Sequence, residues 1–104
     1  MVGVRETISR ARLDFEAAGD VRFLRRRSEV RSYVVVLLAR ESGELKAVRV
    51  YDNSHGDHDM HRYNREGAER AAETFHRGPA SEALQIAIDA VRSGYGEMID
   101  SWRR

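Results

Sequence analysis

SYVVVLLAR, Ser32 to Arg40, is the stretch on which the fold turns. Three consecutive valines favour extended backbone, and apolar side chains fill every position from Tyr33 to Ala39. Both alternating faces are therefore apolar, as expected of a central strand covered on each side. Its start reaches back towards Val30. Just beyond it, Ser42-Gly43 is a two-residue loop with glycine second, the signal of a tight hairpin returning through Leu45–Asp52. Glu41 and Glu44 flank that turn as like charges, a mild cost at an exposed tip.

Further along, Asn53-Ser54-His55-Gly56-Asp57 is a run of turn formers, followed by the polar, alternating segment His58 to Arg65. Asn64–Gly67 reads as another turn, and Ala68–His76 reads either as a short helix or, preferably, as a fourth strand. Gly78-Pro79 is a break suited to a helix start, because the first helical turn has no partner for its N–H groups. The last helix is expected over Ala80 to Trp102. Leu84, Ile88, Val91, Tyr95, Met98 and Trp102 recur at alternating four- and three-residue spacing and so share one face. Gly94 and Gly96 weaken that helix by about 1 kcal/mol each relative to alanine and favour a kink there. Upstream, Thr7–Ala18 contains helix formers, with Gly19 as a stop, and is read as an N-terminal helix. The expected fold class is α+β: an antiparallel β-sheet of three to four strands packed against a long C-terminal amphipathic helix, with an N-terminal helix. One helix covers one sheet face, so the other calls for cover by the N-terminal segment or by a second copy of the chain in a homodimer.

A chain of 104 residues accommodates one domain, taken here as residues 1–104. With 41% hydrophobic and 34% charged residues it has a modest core under a charged surface, unlike a disordered tail. No apolar run approaches the roughly 20 residues of a membrane span, and Met1–Glu6 lacks the apolar core of a signal peptide, so a cytoplasmic protein without membrane contact is expected. The absence of cysteine excludes disulfides, thiolate zinc sites and cysteine nucleophiles. The net charge of +1 hides an asymmetry: residues 1–49 hold 11 Lys and Arg against 7 Asp and Glu, residues 50–104 hold 7 against 10. Arg25, Arg26 and Arg27 are the densest cationic run and a candidate phosphate contact, since guanidinium forks donate bidentately and stay charged.

Three of the four histidines fall between His55 and Arg65. If the two flanking strands pair across a five-residue loop, Val50 faces Met60, Arg49 faces His61, Tyr51 faces Asp59 and Ala47 faces Tyr63. That register sends Val48, Val50 and Met60 to the core and gathers Arg49, Tyr51, Asp59, His61 and Tyr63 on the other face. An imidazole beside guanidinium and phenol groups suits phosphodiester chemistry: histidine moves a proton near neutral pH and arginine stabilises charge growing on phosphate. On this reading His61 and His55 exchange protons, Arg62 or Arg49 neutralises the phosphate, Tyr63 orients it, and Tyr51 with Arg25–Arg27 adds substrate contacts. No cofactor is required. A second reading places a divalent metal on His55, His58 and His61, whose spacing of three works only in a loop or helix. A third is a non-catalytic module, from a phage or mobile element, that docks on a protein through its sheet.

Tyr51-Asp52-Asn53-Ser54-His55-Gly56 followed by His61-Arg62-Tyr63 resembles the TumE-type toxins of bacterial toxin–antitoxin pairs. These carry a strand ending in Tyr/Trp-Asp-Asn, a turn with histidine, and a His-Arg-His or His-Arg-Tyr strand. The resemblance covers the middle third of the chain. It implies a compact growth inhibitor, partnered by an antitoxin with a DNA-binding domain, acting on RNA or translation as an endoribonuclease or translation inhibitor. Its functional positions carry over to Asp52, Asn53, His55, His61, Arg62 and Tyr63, with Asp59-Met60 preceding His61 and one histidine fewer in the strand.

Overall fold

The computed structural model describes residues 3–104. The valine-rich segment is the long strand β3 (Glu29–Glu41), third in a six-stranded antiparallel sheet. The others are β1 (Val4–Asp14), β2 (Ala17–Arg26), β4 (Glu44–Asp52), β5 (His58–Tyr63) and β6 (Glu69–His76), and helix α1 runs over Ala80–Arg103. Strand order follows chain order, so every connection is a hairpin. At the β3–β4 turn Ser42 (φ 53°) and Gly43 (φ 80°) both take positive φ, the backbone that matches the twist of paired strands.

The α+β class and the long C-terminal helix are as expected, but the sheet has six strands rather than three or four, and the expected N-terminal helix over Thr7–Ala18 is absent. That segment forms β1 and the start of β2, paired from Val4↔Arg26 to Asp14↔Ala17. Ile8, Leu13 and Phe15 do not follow a helical period, and strand pairing overrides the local propensity of the intervening residues. Backbone pairing forms this hairpin, and exposed cross-strand ion pairs decorate it: Arg10 grips Asp20 bidentately at 2.6 and 2.8 Å, and Arg22 lies 3.6 Å from Glu6. β6 confirms the strand reading of Ala68–His76, and α1 continues through Gly94 and Gly96.

α1 packs against β2, β3, β4 and β5. Leu37 and Ala39 are fully buried beneath it, together with Ala83 and Ala87 of the helix, and Val35, Val91, Ile99 and Trp102 extend the core. The small residues let helix and sheet approach closely. Among the described residues, no helix is long and apolar enough to cross a membrane. Among the described residues, no element of the chain covers the sheet's other face.

Candidate functional site

The register of β4 against β5 decides which side chains can meet. The pairs are Arg49↔Arg62, Val50↔His61, Tyr51↔Met60 and Asp52↔Asp59, one residue away from the expected set. Because side chains alternate with period two, the slip changes the face of every partner. Tyr51 and Met60 are buried together under α1, with Tyr51 edge-on to Phe75 at a centroid distance of 5.2 Å. Burying an aromatic ring removes far more apolar surface from water than burying Val50, which favours this register. A bulge between Leu37 and Leu38 in the β3–β4 pairing allows Val48, three residues before Tyr51, to be buried as well.

Asn53 fixes the following bend. Its Oδ1 accepts the Tyr33 N–H at 3.1 Å and its Nδ2 donates to the Arg31 carbonyl at 3.0 Å, clamping the bend to β3. His55 lies exposed in that bend and shares none of the bonds made by His61. His58 is buried. Its Nε2 lies 2.8 Å from the Gly78 carbonyl, which can only accept, so Nε2 carries the proton and Nδ1 accepts from the Tyr33 hydroxyl at 2.8 Å. Both ring nitrogens are thus engaged in joining β3, β5 and the β6–α1 connection. This removes His58 from the expected metal trio, and His61 points to the opposite face of the same strand. Among the described residues, no group of His, Asp and Glu is arranged to hold a metal ion.

The expected cluster of Arg49, Tyr51, Asp59, His61 and Tyr63 is divided between the two faces. On the face away from α1, His61 is 12% exposed; its Nδ1 meets Glu69 Oε1 at 3.1 Å, and its Nε2 stands 3.5 Å from Asp52 Oδ1 without a hydrogen bond. Two carboxylates around an imidazole repel a phosphate. Tyr63 has its phenol pushed up by burial first, then by the negative charges of Glu69 and Asp52. Tyr51 belongs to the core, not to a substrate surface.

On the helix face, Arg49 and Arg62 border a cleft of about 280 Å³ closed by Val48, Met98 and Trp102. Tyr63, at the end of β5, borders it too, and β6 and α1 add Arg70 and Ser101. Arg62 reaches Glu73 at 3.2 Å, whereas Arg49 and Arg70 make no ion pair among the described residues. Trp102 Nε1 is buried without a partner. Three guanidinium groups against one carboxylate keep the cleft cationic, although the C-terminal end of α1 opposes them with about half a negative charge. Such a site is suited to an anion with several acceptor oxygens.

Two of the expected site residues, Arg49 and Arg62, therefore come together with Tyr63 at the rim, its phenol turned to Glu69 and Asp52 on the other face; His55 and His61 do not join them. Arg25, Arg26 and Arg27 are remote as well. They end β2 beside the start of β3, with Arg25 over the Phe23 ring at 5.4 Å, while Arg49 pairs with Leu37 further along β3. Arg70 and Ser101 escape a reading of the sequence because their place depends on the β5–β6 bulge and on where α1 ends. No curated protein and no solved structure matches the chain. A family model described as a domain of unknown function, DUF7718, matches residues 4–104, almost the whole length, and the chain belongs to that family.

Proposed function

We propose that this protein is a toxin-like inhibitor that holds RNA phosphates in the arginine cleft and acts by binding rather than by cutting. One observation carries the reading: Arg49, Arg62 and Arg70 converge on one cleft, two of them unpaired, while the imidazole that would move a proton lies across the sheet between two carboxylates. Metal-independent cleavage needs a proton-transfer group within hydrogen-bond reach of the phosphate that arginine neutralises. Binding needs only the guanidinium groups and an aromatic or apolar wall, here Met98 and Trp102. The resemblance of the Tyr51–Gly56 and His61–Tyr63 segments to TumE-type toxins supports growth inhibition through RNA or translation, with an antitoxin as the neutralising partner in the cytoplasm.

The test combines fluorescence anisotropy on a labelled single-stranded RNA with gel analysis of that RNA. The expected result is salt-sensitive binding, about tenfold weaker in the Arg49→Ala/Arg70→Ala double variant, with the RNA left intact. RNA cleavage lost on His61→Ala would overturn the reading in favour of an endoribonuclease. Equal affinity in the wild type and the arginine variant, or no binding, would overturn it in favour of a protein-docking module.

A further inference from the structure

The sheet face turned away from α1 is ordered in charge. On its β1–β2 side stand Arg10, Asp20 and Arg22; along the middle run Val34 and Val36 of β3 and Val50 of β4; on its β5 side stand Asp59 and His61. The valines are only half-buried, an apolar strip with no element over it among the described residues. A groove of about 500 Å³, lined by Ile8, Arg10, Asp20, Arg22, Val34 and Val36, makes the β1–β3 half concave.

We propose that a second copy of this chain covers that face, related by a twofold axis parallel to the strands and running between β3 and β4. The choice of partner follows from the pairing. Across the sheet, one row reads Asp20, Val36, Val50, His61 and the next reads Arg22, Val34, Asp52, Asp59. A rotation about such an axis exchanges β2 with β5 and β3 with β4 while keeping each row in place. Val36 of one copy then faces Val50 of the other, Arg22 faces Asp59, and Asp20 faces His61. The Arg22 guanidinium, which also lies near Glu6, meets the Asp59 carboxylate at both flanks, Asp20, held by Arg10, meets the His61 ring, and apolar side chains meet at the centre. The patch is therefore complementary to itself, as a closed twofold interface requires. Asp52, which meets Val34, keeps its bonds from the Ser54 N–H and hydroxyl. Two sheets packed this way are separated by about 10 Å and inclined by about 30°. The helix-side clefts of both copies stay open, facing outward, so the pairing is independent of the phosphate reading.

Sedimentation equilibrium on the full chain and three variants, with circular dichroism to verify folding, tests the proposal. Arg22 is an exposed side chain and Asp59 is partly exposed; Arg22→Glu also gives up the contact with Glu6 and Asp59→Arg the bond from the Thr74 hydroxyl, so circular dichroism checks that each variant keeps the fold. The wild type is expected to dimerise, Arg22→Glu and Asp59→Arg each to weaken the dimer about tenfold or more, and the Arg22→Glu/Asp59→Arg double variant to regain most of the loss, since the reversed charges again meet their opposites. A wild type that stays monomeric at millimolar concentration, or a folded double variant no stronger than the single ones, overturns it.

Discussion

His58→Leu separates a structural histidine from a functional one. The substitution removes two bonds of 2.8 Å each and strands two partners, the Tyr33 hydroxyl and the Gly78 carbonyl. A buried polar group left without a partner costs about 1–3 kcal/mol. Tyr33 is buried, whereas the Gly78 carbonyl sits in a partly buried contact that water can reach, so its share falls at the low end. The expected loss is about 2–4 kcal/mol, which for a domain of this length lowers Tm by about 10–25 °C. Urea unfolding followed by circular dichroism reads the first quantity and a thermal melt the second. Because Tyr33 and His58 share one bond, the Tyr33→Phe/His58→Leu double variant should lose about 1 kcal/mol less than the two single losses together. A loss below about 1 kcal/mol in His58→Leu, or strict additivity, would refute the reasoning that this histidine ties three elements together. A zinc-induced rise in Tm that vanishes with His58 would favour the metal reading.

Two further outcomes follow from the same geometry. The Tyr33 phenol is pushed up by burial first and then by the charges of Asp52 and Asp59, so the folded chain keeps its proton where the unfolded chain gives it up. Stability is therefore retained below the ordinary phenol value of about 10 and falls as pH rises beyond it. Tyr33→Phe should start lower at pH 8 yet lose less stability between pH 10 and 11, measured by urea midpoints; a wild type whose midpoint is flat over that range contradicts the assignment. For the arginine cleft, three phosphate contacts on a single strand give a slope of log K against log salt near −2, and Arg70→Ala should make it shallower by about 0.7. A slope near zero would remove the electrostatic basis of the proposed RNA binding.

How much was legible in the sequence varied with the kind of interaction involved. β3 stood out because valine and leucine report burial directly, and α1 because its apolar spacing can close only on one helical face. β1 and β2 did not stand out: β1 is almost wholly exposed, and charged cross-strand pairs such as Arg10–Asp20 standing on a sheet carry no apolar period to read. The histidine window was conspicuous as chemistry, but its geometry was not contained in it.

The sequence by itself determined a cysteine-free α+β chain with a valine-rich central strand, a glycine-bearing hairpin and a C-terminal amphipathic helix. Tertiary structure alone decided which polar groups share a surface. Burying Tyr51 with Met60 moved the register of β4 and β5 by one residue, and in an alternating strand one residue is a change of face. Arg49 and Arg62 went to the helix side, His61 stayed on the other, and Arg70 arrived from a strand whose place is set by a bulge. Those choices depend on contacts between residues far apart in the chain, which local pattern does not encode.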